Sequence, residues 1–164
     1  MFSVEGMSKL HFQPIKGQAR EILTAILKSP EVASCNLKMV LLLRLACEEI
    51  VMNITSYAYP EGCASREQNG ACSDSAEAQP ALAEGKSDDF LDVEIDKKSD
   101  RIVIRFEDGG KPFNPLKQKK PDTNLSWRKR RIGGLGIFLV RRKMDDVRYA
   151  YENGKNVLTI EKVI

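Results

Sequence analysis

The sequence predicts an α+β fold: a two-layer sandwich in which about three helices cover one face of a mixed, largely antiparallel sheet. Two observations point to the sheet. Apolar residues alternate with polar ones at the period of two in Leu91 to Phe106 and again between Val147 and Lys162. In both regions a short polar turn divides the alternation, so each reads as a hairpin with one buried face. A third observation supplies the other layer: three stretches repeat apolar residues at helical spacing, and such faces bury themselves against the apolar side of a sheet.

In chain order, His11 falls in an expected strand. Gln18 to Leu27 then sets Ala19, Ile22, Ile26 and Leu27 at helical spacing, and Ser29-Pro30 stops the run because the residue before proline disfavours the helical region. A longer helix is expected from about Asn36, apolar on most sides through Leu42, Leu45, Cys47, Ile50, Val51 and Ile54, and closed by Pro60. Residues 61–89 are rich in Ala, Ser, Gly, Glu and Gln, with Leu82 the one large apolar side chain, so they are expected to form a disordered insertion. In the first hairpin Leu91, Val93 and Ile95 face Ile102, Ile104 and Phe106 across Lys97 to Asp100. Ile137, Val140, Met144 and Val147 recur at helical spacing, with Arg141, Arg142 and Lys143 near the negative end of the dipole. The second hairpin joins Val147 to Glu152 with Asn156 to Lys162 through Asn153-Gly154, two residues that tolerate positive φ.

At 164 residues the chain is expected to be one domain, 1–164, long enough to bury its own core. Apolar residues at 42% and charged residues at 30% give the balance of a globular protein. A net charge of +3 is too small to argue for nucleic acid, and no nucleic-acid partner is expected. No membrane partner is expected either, since the apolar stretch from Leu37 to Tyr59 carries Arg44, Glu48 and Glu49, each expensive in lipid. Cys35, Cys47, Cys63 and Cys72 form no C-x-x-C pair, and the one histidine leaves zinc short of ligands. With no basic start and apolar run at Met1 to Gly6, a reduced, cytoplasmic protein is expected.

Three segments carry chemistry. In Glu49-Ile-Val-Met-Asn53 the carboxylate and the amide stand four apart on one helix face, where both can address a single ligand. The amide oxygen suits magnesium, which takes few protein ligands, and the carboxylate can deprotonate a nucleophile. Asp108-Gly-Gly-Lys-Pro-Phe-Asn-Pro115 comes after a strand; its carboxylate can accept from the amino group of adenine while glycines let the backbone come close to the base. Pro112 and Pro115 stiffen the loop beyond the glycines, with Phe113 expected to pack beneath it. Gly133-Gly-Leu-Gly136 opens the helix at Ile137, gathering unpaired amides where phosphates bind. Between the second and third segments, 116–132 is strongly basic and suits a lid over a triphosphate. With Trp127 the same loop also suits a nucleic-acid patch, but the charge is confined to it and aromatics are few.

In that order the segments resemble the GHKL, or Bergerat-fold, ATPases, with their histidine kinase-like ATPase domain. The closer resemblance is to the anti-sigma factor serine/threonine kinases, carried by Asp108 to Pro115, Gly134 to Val140 and Met144-Asp145-Asp146. It implies ATP and Mg2+ as cofactors, phosphorylation of a STAS-type anti-sigma factor antagonist, sequestration of a sigma factor, and a homodimer. By motif match Glu49 would be the general base, Asn53 the magnesium ligand, Asp108 the adenine reader with Gly110 beside it, and Gly134 and Gly136 the phosphate loop. Phe113, Gly133, Leu135 and Ile137 complete the expected nucleotide contacts, and lid cations such as Arg130 and Arg131 are candidates to assist. The chain departs from the family in three places. Lys155 comes after Gly154 where many relatives have threonine, Tyr57 stands where many have histidine, and the insertion after Tyr59 is longer. A non-catalytic ATP-binding regulatory module that binds a protein partner is the alternative reading of the same motifs.

Overall fold

A computed structural model describes residues 6–13, 15–59, 89–117 and 134–164. Five strands form one sheet in the order β1-β2-β3-β5-β4. They are β1 (Gly6–Phe12), β2 (Leu91–Lys97), β3 (Arg101–Asp108), β4 (Asp146–Glu152) and β5 (Lys155–Val163), and every neighbouring pair is antiparallel, so the mixed element of the expectation is absent among the described residues. The helices are α1 (Ala19–Lys28), α2 (Pro30–Ala33), α3 (Leu37–Asn53) and α4 (Gly134–Lys143). The α+β two-layer sandwich is therefore the fold, with four helices rather than about three.

The sheet's alternation decides its faces. Leu91, Val93 and Ile95 of β2, Ile102, Ile104 and Phe106 of β3 and Ile160 of β5 are all buried, and Ile22 and Ile26 of α1, Leu43, Cys47 and Ile50 of α3 and Ile137 and Val140 of α4 join them in one core. Each such Ile, Leu or Phe side chain withdrawn from water contributes about 1.5–3 kcal/mol before entropy is counted. The opposite face is polar and tied by cross-strand ion pairs, among them Lys9 to Glu94 at 2.7 Å, and by Arg105 to Glu107 along β3 at 2.6 Å. Solvated pairs of this kind add little stability and chiefly keep that face wet.

Local signals explain most element ends. The Asn36 amide oxygen accepts from Met39 N at 2.9 Å and caps α3. Asn153 at φ 53° and Gly154 at φ 79° make the expected tight turn between β4 and β5. Other ends depart from expectation. Pro30 does not merely stop α1; it takes the first position of α2, whose start is capped by Ser29 Oγ accepting from Val32 N at 3.4 Å. The α3 helix passes at Asn53 into a π-helical turn, Ile54–Ala58, before the chain reaches Tyr59. The α4 helix closes with Met144 N donating to Val140 O at 2.9 Å, so Val147 belongs to β4 and not to the helix.

The insertion expected at 61–89 lies outside the described residues except for its last member. Asp89 belongs to the fold: it is buried and its Oδ2 accepts from the backbone amides of Ile15 and Lys16, each at 3.2 Å. Buried or half-buried amides of this kind need such an acceptor. No helix among the described residues is long and apolar enough to cross a membrane.

Candidate functional site

A cleft of about 320 Å³ opens between the end of α3 and the end of the sheet where β3 finishes and β5 begins, and Asn53, Tyr57, Asp108, Phe113, Ile137 and Asn156 are among its walls. That volume lies within the roughly 300–1,000 Å³ of small-molecule sites. Of the expected site residues, four share this cleft: Asn53, Asp108, Phe113 and Ile137.

Asp108 is the last residue of β3, and the strand's alternation turns it inward, where it is 5% exposed. Its Oδ1 accepts from Gly110 N at 2.9 Å and from Asn156 Nδ2 at 2.9 Å. Burial pushes its carboxyl above the ordinary range, and those two hydrogen bonds pull it part of the way back. Asn156 stands opposite because the β3–β5 register pairs it with Asp108. Its amide nitrogen also donates to the carbonyls of Gly110, at 3.2 Å, and Lys111, at 3.1 Å. Its amide oxygen accepts from Phe113 N at 3.0 Å and Tyr149 OH at 2.7 Å. Neither Asn156 nor Tyr149 was among the residues expected at the site. The available signal was a polar side chain standing just before Val157, Leu158 and Ile160, directly after the turn at Asn153-Gly154 and Lys155.

Lys155, the residue after the Gly154 turn, stands apart from the cleft. Its ammonium pairs with Glu107 at 2.5 Å and lies 5.3 Å from the Phe90 ring centre, among groups that do not line the cavity. The position that meets Asp108 is the next one, Asn156, so the cleft keeps a polar side chain beside the carboxylate.

Gly110 lets two backbone segments meet. A Cβ there would stand 2.5 Å from the Ala58 carbonyl oxygen, which accepts from Lys111 N at 3.2 Å. The glycine thus makes room for contact with the π turn. Tyr59 seals the same junction: its hydroxyl accepts from Gly109 N at 2.7 Å and donates to Phe90 O at 3.1 Å. Phe113 does not pack beneath the loop. It is 47% exposed and presents itself at the cleft wall, its amide held by Asn156.

On α3, Asn53 Nδ2 donates to the Glu49 carbonyl at 2.8 Å, which leaves the amide oxygen for a ligand. This fits magnesium, a hard ion that takes oxygen donors and keeps its remaining positions for water and phosphate. Glu49 does not line the cleft but lies one turn back, against the first turn of α4. A Cβ at Gly136 would collide with Glu49 Oε2, so the glycine makes room for the carboxylate. Gly134 is the first residue of α4, where amides without helical partners gather. Gly133, the Leu135 side chain and the lid residues 118–132, Arg130 and Arg131 with them, lie outside the described residues. No group of His, Cys, Asp and Glu able to hold a metal by itself occurs among the described residues.

A sheet covered on one face by helices, with a buried strand-end carboxylate and a helix amide lining one cleft, makes a cavity of small-molecule size. The model of the histidine kinase-like ATPase domain matches residues 15–162, and the chain belongs to that family. Among curated relatives, it is similar to the serine-protein kinase RsbW of Listeria monocytogenes serovar 1/2a, 33% identical over 78 residues, which are 45% of this chain and 50% of that protein. The serine-protein kinase RsbW of Listeria innocua serovar 6a is 32% identical over the same shares of each chain. The chain thus spans about half the length of the curated relatives it matches.

Proposed function

We propose that the protein is an ATP-dependent serine/threonine kinase that phosphorylates a STAS-type anti-sigma factor antagonist and holds a sigma factor while the antagonist is modified. The observation that carries this reading is the convergence of Asn53 and Asp108 on one cleft, with Glu49 at the first turn of α4. The serine-protein kinase activity for which the similar Listeria proteins are named supports it.

In this reading Asp108 accepts from the adenine amino group, Asn53 Oδ1 holds Mg2+, and the amides at Gly134 and Gly136 receive the phosphates. Bound ATP supplies the γ-phosphoryl group. Glu49 takes the proton of the substrate hydroxyl, and its place beside α4 keeps that proton acceptor near the phosphate end. Ile137 and Phe113 are apolar walls for the nucleotide. A cytoplasmic homodimer belongs to the same proposal, and light scattering of the purified chain reads its oligomeric state.

The experiment is incubation with γ-labelled ATP and a STAS-domain protein. Label moves to the antagonist with the wild-type chain, and Glu49→Gln keeps ATP affinity while transfer falls by roughly 100-fold or more, the usual worth of general-base catalysis. Transfer that survives Glu49→Gln unchanged sinks the base assignment. One observation favours a second reading, a regulatory module that binds ATP without transferring it: Glu49 stands outside the cleft lining. Tight ATP binding with no transfer to any STAS-domain protein would favour that module.

A further inference from the structure

One amide side chain holds together the whole wall around Asp108. Asn156 has five hydrogen-bonding partners: its amide NH2 shares two hydrogens among Asp108 Oδ1 and the Gly110 and Lys111 carbonyls, and its oxygen accepts from the Phe113 amide and the Tyr149 hydroxyl. The orientation of the amide is forced. Phe113 N–H can only donate, so the amide oxygen must face it, while the Gly110 and Lys111 carbonyls can only accept, so the nitrogen must face them. With the nitrogen fixed on that side, Asp108 Oδ1 is engaged twice, once by Asn156 and once by Gly110 N. The carboxylate cannot turn without giving up bonds in a buried wall, where an unpaired polar group is costly. Its remaining lone pairs then have one fixed direction. An aspartate at 156 would set an acceptor against two carbonyls and a carboxylate, and a leucine would remove all five contacts and leave Asp108 Oδ1 with Gly110 N alone.

We infer that Asn156 is a positioning residue that sets the base selectivity of the nucleotide site, by locking the Asp108 carboxylate in the orientation that accepts from an exocyclic amino group. This rests on the reading of the cleft as an ATP site. Tyr149 is the next member of the same chain of contacts, since its hydroxyl holds the amide oxygen of Asn156 at 2.7 Å.

The test compares the affinities of magnesium complexes of ATP and of purine riboside triphosphate, which lacks the 6-amino group and so cannot address Asp108. In the wild-type chain ATP is expected to bind roughly tenfold or more tightly, as one hydrogen bond to a charged acceptor provides. In Asn156→Leu the ratio is expected to fall to within about twofold of unity, because the contact that depends on the fixed carboxylate is lost. Tyr149→Phe, a mild change that keeps the ring, lowers the ratio by a smaller factor and decides the matter if Asn156→Leu does not fold. A purely structural role would weaken both nucleotides equally and leave the ratio where it was. That result in Asn156→Leu, or an unchanged ratio in Tyr149→Phe when the leucine variant does not fold, overturns the inference while the nucleotide site stands. Failure of the wild-type chain to bind either nucleotide overturns the ATP reading and this inference with it.

Discussion

Replacing Asp108 by asparagine separates the cleft's stability from its function. The amide oxygen of an asparagine keeps both hydrogen bonds now made by Oδ1, from Gly110 N and from Asn156 Nδ2, each at 2.9 Å. The change falls on the other atom, where, in the proposed ATP complex, an acceptor becomes a donor facing the adenine amino group. The variant loses a hydrogen bond to a charged acceptor, about 1.5–3 kcal/mol, and sets two donors against each other at a cost of the same order, so magnesium-ATP is expected to bind on the order of 100-fold more weakly. Stability moves the other way. Burial raises the Asp108 carboxyl above its ordinary value, so the native state binds that proton more tightly than the unfolded chain does. Ionisation of Asp108 therefore costs stability as pH rises from the ordinary carboxylate range through the raised native value, and the cost is fully present above it. Asp108→Asn escapes that cost: at neutral pH its unfolding midpoint is expected to equal or exceed the wild type's, with the difference closing as pH falls through that window. Calorimetric titration, and urea unfolding at a series of pH values from the ordinary carboxylate range upward, measure both quantities. Unchanged affinity for magnesium-ATP, or a clearly lower midpoint at neutral pH, would refute the reasoning.

Other substitutions probe the walls of the same cleft. Gly110→Ala drives a Cβ to 2.5 Å from the Ala58 carbonyl oxygen, a backbone atom that cannot step aside, and is expected to cost about 1–3 kcal/mol in denaturant unfolding and to weaken ATP binding. Gly136→Ala displaces the Glu49 carboxylate instead; affinity for ATP is expected to hold better than phosphate transfer, which a side-by-side titration and transfer assay reads. Tyr59→Phe removes the hydroxyl shared by Gly109 N and Phe90 O and is expected to lower stability by about 1 kcal/mol, read from the urea midpoint. Cys47 is buried with its thiol pushed up to about 12, so iodoacetamide at mildly alkaline pH is expected to leave it unmodified until the chain unfolds, as mass spectrometry of its peptide would report.

The hairpins were legible because alternation is a local signal: Leu91, Val93 and Ile95 face one way whatever the rest of the chain does, and Asn153-Gly154 announces its own turn. Elements that lack a period of their own, or that depend on distant partners, were not. Pro30 reads as a stop, and only the Ser29 cap shows that it also starts α2. Val147 falls in step with the helix before it, yet pairing with Ile160 claims it for β4. Asp89 shares the composition of the segment before it, and one pair of hydrogen bonds from Ile15 and Lys16 makes it part of the fold. A π turn has no sequence period of its own, so the junction of Ala58 with Gly110 could not be foreseen.

The candidate site divides along the same line. Asp108, Asn53 and Gly136 were legible as motifs, because each sits at a fixed offset from an element that the sequence announces. The purpose of Gly110, the exposure of Phe113 and the hub at Asn156 depend on what lies beside β3 and its end. Lys155 and Asn156 are adjacent in sequence but have different roles, Lys155 pairing with Glu107 and Asn156 holding Asp108. The register decides which of them meets the carboxylate.

A crystal structure of the chain with magnesium and a non-hydrolysable ATP analogue is the decisive measurement. It is expected to set the adenine amino group roughly 3 Å from the Asp108 carboxylate, with Asn53 Oδ1 roughly 2.1 Å from magnesium and the γ-phosphate at the first turn of α4 beside Glu49. A nucleotide with its base away from Asp108, or a magnesium ion without Asn53 among its ligands, would contradict the assignment of this cleft.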